Sequence, residues 1–89
     1  MEIKSEVKDD LNKRLRRIEG QVRGIQNMLL EDRECRDIVT QIAAVTKAME
    51  QVGFKMLASG LVSCLQDPEK SAAEGYSLDA VEKMFLKLS

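Results

Sequence analysis

Eighty-nine residues with a formal net charge of −1, 44% apolar and 3% aromatic content, one proline and no histidine describe one small helical domain spanning the chain, with little core of its own. The missing histidine excludes Ser-His-Asp and Cys-His catalysis and the usual zinc fingers, so no enzyme, metal centre or resident cofactor is expected. No run approaches the ~20 apolar residues of a membrane span, and the opening MEIKSEVKDD is too polar for a signal peptide, which predicts a cytoplasmic location. Residues 1 to 8 carry alternating charges without a pattern and are expected to fray. Asp9 or Asp10 is the expected cap of a first helix, where a carboxylate suits the positive end of the helix dipole. Leu11, Leu15, Ile18, Val22, Ile25 and Leu29 follow at steps of four and three, an apolar seam of about six turns.

The opposite face of that helix is basic. Lys13, Arg16, Arg17 and Arg23 lie there with Gly20 and Gly24 among them, and Arg14 sits nearer the border. A basic helix face is most often only solvated, but two glycines change the weighting. Each costs a helix roughly 1 kcal/mol and is often kept for close approach of another backbone, whether phosphates or a neighbouring helix.

After Leu30 the segment EDRE breaks the pattern and turns the chain into a second helix. From Cys35 to Cys64 the positions Ile38, Ile42, Val45, Met49, Val52 and Met56 form another four-three stripe. Phe54 to Leu65 is apolar on most sides, more than a lone chain can cover, and Gly53 and Gly60 are expected to weaken or bend the helix there. Gln66, Asp67 and Pro68 end it, PEKSAAEGY reads as a polar connection, and Ser77 caps a short third helix with Leu78, Val81, Phe85 and Leu88 on one face. The architecture expected is all-α, three helices, the first two forming an antiparallel hairpin.

Cys35 and Cys64 fall within roughly 20° of each other around the second helix, yet about 43 Å apart along its axis. One straight helix therefore keeps them apart, since a disulfide needs Cα atoms within about 7 Å. An antiparallel pair of chains would bring Cys35 of one protomer to Cys64 of the other, so a homodimer with two symmetric thiol pairs is the central expectation. Cys35 begins its helix with Arg33 and Arg36 beside it and is the better first nucleophile. Cys64 lies in an apolar run and is the better resolving thiol. Two cysteines on a helix edge are as often plain packing residues.

The run RLRRIEGQVRGIQNML, the cysteine at position 35, TQIAAV and the spaced Gly60 and Cys64 resemble the CsoR/RcnR family of bacterial helical repressors over nearly the whole chain. That resemblance implies an antiparallel four-helix dimer core, a disc-shaped homotetramer, and operator DNA held by basic helices until an inducer releases it. It maps DNA contacts onto Arg14, Arg16, Arg17 and Lys47, whereas the helical wheel ranks Lys13 and Arg23 above Arg14.

The departures from the family pattern bear on the inducer. Its copper sensors use a cysteine followed by His-x-x-x-Cys, and here the histidine position is Gly60. Nickel and cobalt sensing relies on histidines absent from this chain, and formaldehyde sensing on an amino-terminal proline where Glu2 stands. What remains looks like the CstR-type sensors of reactive sulfur, which implies a persulfide-responsive repressor whose redox switch is Cys35 joined to Cys64 of a neighbouring chain. The alternatives are a Cu(I) sensor with two soft thiolates and a small sulfur-carrier or redox protein.

Overall fold

A computed structural model describes residues 2–88. Helix α1 spans Ser5–Leu30, α2 Cys35–Gln66, α3 Pro68–Ala73 and α4 Leu78–Leu86. The first two form the expected antiparallel hairpin, and α3 and α4 pack on the carboxyl-terminal half of α2.

Helix α1 starts earlier than Asp9 or Asp10. Its N-cap is Lys4, which supplies no side-chain cap bond, so residues 5 to 8 are helical rather than frayed. Val7 gives the reason, because it packs one turn ahead of Leu11 and lengthens the apolar seam. The core of the hairpin is Leu11, Ile18 and Val52, with Val7, Leu15, Val45 and Ala48 packed around them. Burying a side chain of this size contributes about 1.5–3 kcal/mol. Val7 is only partly buried, so its share is a fraction of that, comparable with the ~1 kcal/mol of the missing cap.

Two turns of one kind punctuate the chain. At the end of α1, Arg33 N–H donates to the Met28 carbonyl at 3.0 Å and Asp32 N–H to the Leu29 carbonyl at 3.3 Å, with Asp32 at φ +53°. At the end of α3, Tyr76 N–H donates to the Ser71 carbonyl at 2.8 Å and Gly75 N–H to the Ala72 carbonyl at 3.0 Å, with Gly75 at φ +92°. Both are Schellman closures, in which a residue in the left-handed region satisfies the last carbonyls of a helix.

The polar connection after α2 is itself helical, so the chain has four helices instead of three. Asp67 accepts from Lys70 N–H at 3.2 Å as the cap, Pro68 occupies the first helical position, and Gly75 closes the other end. Proline just inside a start and glycine just past an end suit a helix's unpaired terminal groups. Ser77 caps α4 as expected, accepting from Ala80 N–H at 3.2 Å. Val81 of that helix is buried, but Leu78 is exposed.

Helix α2 runs through Gly53 and Gly60 without interruption. At Gly53 a Cβ would lie 2.8 Å from the Leu88 side chain, so the missing methyl lets the end of the chain seat against α2. The Phe54 and Phe85 rings stack obliquely beside it with centroids 5.8 Å apart.

The molecule measures 54 × 25 × 14 Å, little thicker than the ~10 Å of one helix with its side chains. Helix α2 has α1 against one face and α3 and α4 against another of its carboxyl-terminal half, which leaves part of its surface open. Ile38 and Val52 of its stripe are buried, whereas Ile42, Met49 and Met56 remain exposed. These three recur every seven residues and form a second seam that one chain leaves about half exposed, at 40–48%.

Candidate functional site: a cationic helix face and a separated thiol pair

The basic face of α1 is open. Lys13, Arg16 and Arg17 are exposed and, among the described residues, have no carboxylate within salt-bridge distance, as is also true of Lys47 on α2. Arg23 is held loosely, 3.9 Å from Glu19. Arg14 differs from all of these. Its Nε donates to Asp10 Oδ2 at 3.0 Å, and Lys55 Nζ reaches the same oxygen at 3.5 Å. The Arg14 hydrogen bond, helped by the charges of Arg14 and Lys55, holds the Asp10 carboxyl below its ordinary range. One of the three α1 positions that the family resemblance maps to DNA is thus occupied by a carboxylate shared with α2. Lys13, Arg16 and Arg17, by contrast, are free to meet an anion.

The expected cap residue Asp10 is therefore a junction. Among the described residues, its contact with Lys55 is the one salt bridge joining α1 to α2. No periodicity marked it, because the pair is separated by 45 positions and exists only once the hairpin has closed.

The two cysteines have opposite settings. Cys35 is exposed and Cys64 is buried. The Cys64 thiol donates to the Tyr76 carbonyl at 3.7 Å, a contact made by the Schellman turn at Gly75, which directs the chain back over α2. Sequence reasoning missed Tyr76. The signal was present in Asp67-Pro68 and Gly75, the punctuation of a short helix, but the partner is a backbone carbonyl, which no residue type announces.

Within one chain the thiols remain at opposite ends of the 32-residue α2. No group of three or more histidine, cysteine, aspartate or glutamate side chains fit to hold a metal ion occurs among the described residues. Gly60, one turn before Cys64, is buried and has no side-chain donor. The donor set that two chains could offer one another is two sulfurs, which suits a soft, two-coordinate ion such as Cu(I) and leaves no nitrogen for a third ligand.

A two-helix hairpin with a carboxyl-terminal helical flap, an open cationic face and thiols at the ends of its long helix describes a class of helical regulators without a helix-turn-helix. The family of metal-sensitive transcriptional repressors matches residues 7–87, and this chain belongs to it. The copper-sensing transcriptional repressor CsoR of Bacillus subtilis (strain 168) is 42% identical over 85 residues, covering 96% of this chain and 84% of that protein. The copper-sensing transcriptional repressor RicR of Mycobacterium tuberculosis (strain ATCC 25618 / H37Rv) is 48% identical over 68 residues, covering 76% of this chain and 68% of the relative. The crystal structure of the copper-sensing repressor CsoR with Cu(I) from Geobacillus thermodenitrificans NG80-2 superposes with a TM-score of 0.72 at 36% identity, over 94% of this chain and 84% of that one. No helix among the described residues is long and apolar enough to cross a membrane.

Proposed function

We propose that this chain is an operator-binding repressor, released from DNA when a soft, thiol-seeking effector joins Cys35 of one protomer to Cys64 of a second lying antiparallel to it. The observation that carries the proposal is the pairing of an open cationic face on α1 with two thiols that only a second copy can bring together. The half-exposed seam of Ile42, Met49 and Met56 supplies apolar surface for that copy, in a homodimer that pairs further into a tetramer.

Cu(I) is the effector favoured by the relatives, which are named as copper sensors. Cys35 and the second chain's matching thiol would hold it between two sulfurs, with loss of both thiol protons. Reactive sulfur is a second reading, favoured by the absence of histidine from the whole chain. In that chemistry the Cys35 thiolate attacks the terminal sulfur of a persulfide, giving a Cys35 persulfide and the donor's thiolate. The Cys64 thiolate of the second chain then attacks Sγ of Cys35, closing a disulfide and expelling hydrosulfide.

Fluorescence anisotropy with a labelled duplex tests the DNA half. Affinity should fall steeply with salt as phosphates are neutralised. Arg16→Ala and Arg17→Ala should each lower the salt slope by about 1, and Arg14→Ala by less because Arg14 is already paired. Titration against a Cu(I) chelator and intact mass after polysulfide treatment separate the two effectors. Cys35→Ala should abolish release by either, while Cys64→Ala should leave a Cys35 persulfide without a bridge. A protein that stays on DNA through both treatments would end this reading.

A further inference from the structure

We propose that Gly20 and Gly24 form the seat at which the phosphate backbone of DNA meets α1, and that the missing side chains, as much as the neighbouring charges, determine affinity. The inference rests on the reading of this face as the DNA-binding surface. Both glycines lie in the interior of the 26-residue α1, where glycine is the least favourable residue after proline. Such a choice usually has an internal cause, and at Gly53 the structure shows one in the seated Leu88. At Gly20 and Gly24 it shows none, since a Cβ built at either position meets nothing within 4 Å.

The reason for the glycines therefore lies outside the chain. They stand one turn apart near the middle of the cationic face, with Lys13, Arg16 and Arg17 on the preceding turns and Arg23 beside them. Removing Cβ lets a partner approach the helix axis by about 1.5 Å more, roughly one carbon–carbon bond. At that distance backbone atoms of the nucleic acid could rest on α1 while Arg16 and Arg17 fork onto flanking phosphates. Charge chooses the occupant. The same face of a second copy would bring four cations against four, whereas a duplex offers one negative charge per ~1.7 Å of its axis.

The test uses the full-length chain and a duplex that the wild-type protein selects from a random pool. Gly20→Ala and Gly24→Ala should each raise Tm by about 4 °C or more. Each should weaken binding to that duplex on the order of tenfold and lower the salt slope by about 1, because the added methyl lifts the flanking cations from their phosphates. Gln26→Ala, an exposed position on another face, should leave affinity and slope unchanged. Unaltered affinity in both glycine variants would overturn the inference while leaving the DNA-binding reading intact. Affinity lost together with a changed sedimentation coefficient would overturn it too, assigning the glycines to a helix of a second copy. A wild-type protein that selects no duplex would remove the reading on which the inference stands.

Discussion

Each cysteine lies close to a Schellman turn, and the two turns do opposite things. The turn at Asp32 ends a long helix and sends the chain into α2 with Cys35 on its exposed first residue. The turn at Gly75 ends a helix of six residues and folds the chain back, setting the Tyr76 carbonyl on the Cys64 thiol. One local motif thus leaves a thiol open and covers another, according to the length and direction of the helix that it closes. Under the proposed function, an effector would meet Cys35 freely and would have to displace the Tyr76 cover to reach Cys64.

That contrast can be broken most strongly at Leu57, which is 3% exposed and lies two turns before Cys64. Leu57→Ala should cost about 2–5 kcal/mol of stability. It should also speed alkylation of Cys64 while leaving Cys35 unchanged, as peptide mapping after a timed iodoacetamide pulse would show. Equal acceleration at both thiols would mean that the two ends do not open independently. Gly75→Ala is a milder probe of the same end. No atom would obstruct the new methyl, so its effect is the cost of a left-handed alanine, about 1–2 kcal/mol, again read as faster labelling of Cys64.

The other turn should respond with the opposite sign. Asp32 adopts φ +53° where glycine is preferred, so Asp32→Gly should stabilise the fold by about 0.5–1 kcal/mol in urea titration, with Cys35 labelling unaltered. The smallest effect belongs to Asp10→Asn. The folded-state carboxyl is held below its ordinary value chiefly by Arg14, so its contribution is present above the ordinary carboxylate range and lost as pH falls through the lowered value. Wild type and variant should accordingly differ near neutral pH and converge in acid, with high salt shrinking the gap. A gap that persists in acid would assign the effect to something other than the carboxylate charge.

Much of the hairpin was legible because it is periodic. Leu11, Leu15 and Ile18 against Val45 and Val52 need only the helical repeat to be placed, and the apolar width of α2 already called for a partner. Ser77 as a cap and the break at Asp67-Pro68 followed from local chemistry. A cap at Asp9 or Asp10 points to a later start for α1 than the structure has, because the value of Val7 lies in packing. Helix α3 is not legible in the sequence, because six residues contain too few turns to show a period.

By itself the sequence determined the α-helical hairpin, the clustered cations of α1 and the separation of the two thiols, since each follows from spacing along a single helix. Only the tertiary structure decided that Lys55 reaches Asp10, that Tyr76 covers Cys64, and that Gly53 has an internal neighbour in Leu88 whereas Gly20 and Gly24 have none. These are relations between residues distant in the chain. They arise when helices pack, and no local preference encodes which backbone carbonyl or side-chain methyl will come to lie beside a given atom.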